Sequence, residues 1–147
     1  MIRELFVSEE INCVAHPPWP STVMGRRHAR MRTDLDAWTE GRLVTVADHP
    51  YNKPRGTFMA RIDPGADEVF DIRCRYPKPG IRVLGLFADC DLFVALTTTG
   101  HENLITGRDW RDEREACKAA WRHLFPTYQP FSGTTLHEYI SINIHIV

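Results

Sequence analysis

Along the middle of the chain apolar residues alternate with charged ones, and on either side they recur every three to four residues. From Phe70 to Tyr76 the even positions Phe70, Ile72, Cys74 and Tyr76 are apolar, and Asp71, Arg73 and Arg75 fall between them. A period of two puts one face of a strand on a core and the other in water. Pro77-Lys78-Pro79-Gly80 then forces a tight connection, because proline fixes φ and glycine accepts the left-handed region. Ile81 to Ala88 and Leu92 to Leu96 read as two further strands, joined by Asp89-Cys90-Asp91 at hairpin length. Three consecutive antiparallel strands are expected, with arginines on an otherwise apolar sheet.

Upstream, Pro17-Pro18-Trp19-Pro20 breaks regular structure, and Ser21 or Thr22 offers an N-cap. Met24, His28, Met31, Leu35 and Trp38 then lie at helical spacing up to Gly41, on a helix whose other face carries Arg26, Arg27, Arg30 and Arg32. A second helix is expected with Asp109 as its cap, an apolar stripe of Cys117, Ala120, Trp121 and Leu124, and Pro126 at its end. Short strands are expected over Ile2 to Val7 and Leu43 to Ala47. Phe58 to Ile62 suits a strand or a helical turn equally. Asp48 to Gly56 reads as a loop, and Asp63 to Asp67 as a turn.

At the C-terminus Ile140, Ile142, Ile144 and Ile146 fall on one face of an alternating run, opposite His137, Tyr139, Ser141, Asn143 and His145. This predicts a last strand over Leu136 to Val147, paired with the sheet so that its isoleucines are covered. Aspartate at Ile142 or Ile144 is then expected to unfold the protein or make it aggregate. Together these elements predict an α+β fold: a curved antiparallel sheet of five or six strands, with two main helices packed on one face, in a single domain spanning residues 1–147.

With 147 residues the chain is long enough for one sizeable core. A formal net charge of −1 gives no bulk attraction to nucleic acid or anionic membranes, so any such attraction must come from a local patch. No apolar run approaches the roughly 20 residues of a membrane span, and the stretch from Met1 to Val7 is too short and charged for a signal peptide. A cytoplasmic protein with no membrane partner is expected. Cys13, Cys74, Cys90 and Cys117 include no C-x-x-C pair, so no metal site is expected, although Cys74 and Cys90 could face each other across the hairpin. Lone glycines and the absence of a nucleophile elbow leave no signature of a bound cofactor.

Candidate chemistry rests on the arginine strands. Arg73 and Arg75 share a face, and hairpin register decides whether Arg82 joins them. Convergent guanidinium groups suit phosphate, which they bind in bidentate fashion. His101, directly after the third strand, is the best-placed acid–base group, with Tyr76 as a substitute. The opposing reading makes these arginines cross-strand partners of Asp71 and Glu68 on a solvated face. His137 and His145 lie eight residues apart, about 26 Å along a strand, too far to share a metal.

Asp71-Ile72-Arg73, Gly80-Ile81-Arg82-Val83 and Leu92-Phe93-Val94-Ala95-Leu96, in a meander preceded by a strand and a helix, resemble the RelE/ParE toxin superfamily, nearest its HigB-like and phage-derived members. The resemblance covers about residues 43–99. It implies a small α+β protein that enters the ribosome and cleaves mRNA, or inhibits gyrase, and an antitoxin protein as partner. On that basis Arg73, Arg82 and His101 are candidate catalytic residues of a ribosome-dependent endoribonuclease, and Arg75, Tyr76 and Lys78 candidate RNA contacts. The chain departs from the family after the third strand, where Thr97 to Leu104 contains no lysine. The alternative expectation is a non-catalytic binding or assembly protein of phage or mobile-element origin.

Overall fold

The computed structural model describes residues 3–49 and 53–147. In chain order its elements are β1 (Glu4–Val7), α1 (Glu9–Val14), α2 (Val23–Thr39), β2 (Val44–Ala47), β3 (Met59–Arg61), β4 (Phe70–Cys74), β5 (Ile81–Asp89), β6 (Leu92–Gly100), α3 (Gly107–Leu124), α4 (Leu136–Tyr139) and β7 (Ile144–Ile146). The fold is α+β, as the alternation implied, and the central hairpins β4–β5 and β5–β6 are antiparallel with Ile72 opposite Val83 and Val83 opposite Thr98.

The sheet itself differs from the expectation of five or six antiparallel strands. It is a curled, mixed sheet of seven strands in the order β1-β6-β5-β4-β3-β2-β7. β1 runs parallel to β6, and β2 runs parallel to both β3 and β7. Pairing direction at the sheet's flanks depends on how the intervening segments cross over, which side-chain alternation does not encode. Ile2, at the start of the first expected strand, lies outside the described residues, as do residues 50–52 of the expected loop.

Nor do the two main helices share a face. Met31, Leu35 and Trp38 of α2 pack with Phe70, Ile72, Cys74, Val83 and Phe87, whereas Cys117 and Trp121 of α3 pack with Leu84, Leu86, Val94 and Leu96. β5 explains this: Val83, Leu84, Leu86 and Phe87 are all buried, so the central strand is apolar on both sides and needs a cover on each. Gly85 sits at a bulge between β5 and β6, where a Cβ would come within 2.1 Å of the Val94 carbonyl oxygen. Helix α3 begins at Thr106 rather than at Asp109: Thr106 is the N-cap, and Asp109 is its capping-box partner at the third position. Thr22 caps α2, with its hydroxyl accepting from the Gly25 amide at 3.0 Å.

The C-terminal run is the clearest departure. Thr135 and Glu138 form a capping box that starts the helical turn α4, and only Ile144–Ile146 is extended, as an edge strand on β2. Tyr139, expected on a wet strand face, is fully buried against Phe70, Phe87 and Phe131 at ring separations of 5.1–5.3 Å. Its hydroxyl donates to Glu68. Reciprocal capping and this aromatic anchor override the alternation. Ile140 is buried, while Ile142 and Ile146 are each 45% exposed, so they do not share a covered face.

Stability should sort along the same line. Ile140→Ala is expected to cost about 2–5 kcal/mol, the usual loss for a buried isoleucine, and Ile142→Asp under about 0.5 kcal/mol. Urea denaturation of the two variants checks this, and the reverse order would contradict the packing.

Candidate functional site

β4 and β5 bring the sequence-predicted residues to one place. Arg73 and Arg82 are direct partners across the ladder, so the register left open by the sequence puts them on the same face. Helix α3 covers the Leu84–Leu86 end of that face and leaves the arginine end open. There Arg73, Arg75, Tyr76, Lys78, Arg82 and His101 all line one cavity of about 690 Å³. Lys53 and Arg55 complete the wall from the β2–β3 connection. Among the described residues, six lysines and arginines line the cavity, and no aspartate or glutamate does. A local concentration of cations has thus formed on a chain of net charge −1.

Each wall is held by specific bonds. Gly80, at φ +83°, closes the Pro77–Gly80 turn where a Cβ would lie 2.3 Å from the Cys74 carbonyl oxygen. The His101 amide donates to the Gly80 carbonyl at 2.9 Å, tying the short helical turn at His101–Asn103 to the β4–β5 turn. Arg27 of α2 reinforces both. Its Nε donates to the Pro77 carbonyl at 3.1 Å and its Nη1 pairs with Glu102 at 2.8 Å. On the third wall the Thr57 hydroxyl donates to the Pro54 carbonyl at 2.7 Å, and the Thr45 hydroxyl to that of Gly56 at 3.0 Å.

Beneath the floor lies a buried charge cluster. Arg82 Nε lies 3.8 Å from Asp71 Oδ2, with both side chains under 5% exposed. Arg82 Nη1 also donates to the Ile81 carbonyl at 3.3 Å. Arg73 Nε and Asp71 Oδ1 are buried with no hydrogen-bond partner. Burial pushes the Asp71 carboxyl up, and the charges of Arg82, Arg73 and Lys53 pull it back. Burial lowers Arg73 and Arg82, with Asp71 opposing it. One carboxylate thus serves two guanidinium groups, and the excess positive charge faces the cavity. At the rim, Tyr76 is 46% exposed, with the Arg30 and Arg75 guanidinium groups over its ring at 5.9 and 5.5 Å.

His101 is half-buried, with its ring 6.5 Å from that of Trp110 in an edge arrangement. Burial, and then the Arg82 and Arg73 charges, hold its pKa below the ordinary histidine value of 6.5. At neutral pH it is therefore an uncharged imidazole able to accept a proton. A basic group beside convergent guanidinium groups is an arrangement that binds an oxyanion and can move a proton next to it.

No protein-family model, curated protein or solved structure matches this chain.

The reading of these arginines as exposed cross-strand pairs holds for one contact only, Arg82 with Asp71, and that contact is buried rather than solvated. Glu68 lies elsewhere, between Tyr139, Ser132 and Arg61. The arginine patch on α2 is mostly neutralised: Arg27 pairs with Glu102, Arg30 with Asp34 and Arg32 with Asp36. His137 and His145 are exposed on α4 and β7 and do not approach the buried Tyr139 cluster as a common site. Cys74 is buried opposite Ile81, and Cys90 is exposed at the far end of β5, so they do not meet across the hairpin. Among the described residues no three His, Cys, Asp or Glu side chains gather as a metal site. No described helix is long and apolar enough to cross a membrane. Sequence reasoning missed Lys53, Arg55 and Trp110; the two basic residues of Lys53-Pro54-Arg55-Gly56, close together in the expected loop, were the available signal.

Two expectations follow from the charge cluster. Arg82→Ala should destabilise the protein by about 3–5 kcal/mol, because it strands a buried carboxylate, and Asp71→Asn in the same chain should recover part of that loss. Equilibrium unfolding of the single and double variants tests this; an unchanged midpoint for Arg82→Ala would contradict it. His101 binds its proton more weakly folded than unfolded, so stability should fall as pH drops below 6.5 towards its folded pKa. His101→Gln should flatten that limb of the stability–pH curve.

Proposed function

We propose that this protein binds RNA, gripping its phosphates in the cavity between β4, β5 and the His101 turn. The observation that carries this reading is the six-cation, carboxylate-free lining of that cavity. Positive charge of one sign in a concavity raises the local concentration of anionic ligands, and guanidinium forks match phosphate oxygens. The resemblance of residues 43–99 to the RelE/ParE toxins points to the same ligand class; the ribosome as its source and an antitoxin as partner rest on that resemblance alone.

Binding is the primary activity in this reading. Cleavage of the RNA at the 2′-hydroxyl requires a base, a cation at the phosphorane and a proton donor for the leaving oxygen. In this reading His101 serves as the base, Arg73 as the cation and Tyr76 as the donor, all three being residues that line the cavity. The alternative, a non-catalytic assembly protein with structural arginines, is favoured at Arg82 only, through its buried pair with Asp71.

Fluorescence polarisation with a labelled single-stranded RNA tests the proposal. Arg73→Ala and Arg75→Ala should each weaken binding and reduce the slope of log affinity against log salt by about 0.7, one phosphate contact. Incubation of the bound RNA with wild type and His101→Gln decides on cleavage, since loss of a general base costs about 10²- to 10⁴-fold. Salt-independent binding, or none, would overturn the reading.

A further inference from the structure

A second cavity, of about 450 Å³, adjoins the first and shares Lys53 with it. Its lining is mixed. Ala60, Ile62, Pro64 and Trp110 supply apolar wall, Asp63, Arg111 and Arg114 line it as well, and Asp71 lies on the side nearest Arg73. Along β4 the two cavities are separated by a single step of the pleat: Asp71 lines one and Arg73 the other, two residues apart on one face. The His101–Trp110 ring contact forms a second junction, since His101 lines the cationic cavity and Trp110 the mixed one. Asp71 is 2% exposed, and its Oδ1 has no hydrogen-bond partner, so the wall between the cavities carries an unused acceptor.

A cationic basin opening beside a slot with an indole wall and a spare carboxylate oxygen matches the two halves of a nucleotide. We infer that the Trp110 slot receives one unstacked nucleobase of the RNA whose phosphates lie among Arg73, Arg75 and Lys78; this rests on the reading of the basin as an RNA site. The base stacks on Trp110 and presents an N–H edge towards Asp71. A base inside a duplex cannot reach this slot, because its faces are stacked and its edge is paired. The ligand class is therefore single-stranded RNA, or an end or loop with a base free to turn out, and the cost of unstacking excludes regular duplex.

The test uses fluorescence polarisation with three ten-nucleotide probes: oligoadenylate, an abasic ribose-phosphate strand of equal length, and a blunt duplex. Wild type is expected to bind oligoadenylate at least tenfold more tightly than the abasic strand, the usual worth of one stacked base, and to bind the duplex no better than the abasic strand. Trp110→Leu should erase the difference between oligoadenylate and the abasic strand while leaving abasic binding unchanged. Trp110→Phe, which keeps a ring, should retain most of it, and this guards against misreading a folding defect. Equal wild-type affinities for base-bearing and abasic strands would overturn the nucleobase slot and leave the phosphate basin standing. Failure to bind any of the three would remove the basin reading itself, and the slot with it.

Discussion

Two arginines face each other across the β4–β5 ladder, and one buried carboxylate stands between them and mutual repulsion. Like charges at directly opposed positions destabilise a sheet, and desolvation makes that worse. Asp71 offsets the repulsion from its diagonal position, paired with Arg82 and adjacent on the strand to Arg73. The compensation is incomplete by one charge. The excess cannot turn inwards, because the other face of β4 is packed with Phe70, Ile72 and Cys74 under α2. It is displayed instead at the open end of the sheet, where α3 stops covering the strands.

That placement depends on contacts from distant parts of the chain. Arg27, on a helix of the opposite face, reaches round to hold the Pro77 carbonyl and Glu102, and so fixes the turns that carry Lys78 and His101. The buried arginine of the α2 patch is thus a bracket for the cavity rather than a binding residue. The same economy appears at Arg61, which lies over the rings of Phe70 and Tyr139 at 5.3 and 5.0 Å and pairs with Asp48. Arg61 and Arg82, both on this sheet, are tied to aromatic faces or carboxylates. In the basin Arg82 is tied to Asp71 and Arg75 to the Tyr76 ring, while the Arg73 Nε has no hydrogen-bond partner.

Much of the central architecture was legible in the sequence. The alternation from Phe70 to Cys74, the Pro77–Gly80 turn and the hairpin at Asp89–Asp91 follow from local steric and hydrophobic rules that act within a few residues. The convergence of Arg73 with Arg82 needed the register, which is a long-range property. The parallel pairing of β1 and of β2 was beyond reach for the same reason. Ile140 to Ile146 misled because alternation records which residues are apolar, whereas the Thr135–Glu138 cap and the socket for Tyr139 decide the backbone. Lys53 and Trp110 belong to the two cavities through folding alone: one comes from a loop before β3, the other from the first turns of α3.

The central claim is that the basin is a site for a phosphate-bearing strand. The most direct measurement is a nuclear magnetic resonance titration with unlabelled single-stranded RNA, following arginine Nε–Hε and histidine ring signals together with the backbone amides. The expected result is saturable shifts concentrated on Arg73, Arg75 and His101, with Arg61 and the exposed His137 and His145 unmoved. Shifts confined to the Trp121–Tyr128 surface, or a spectrum unchanged by RNA, would contradict it.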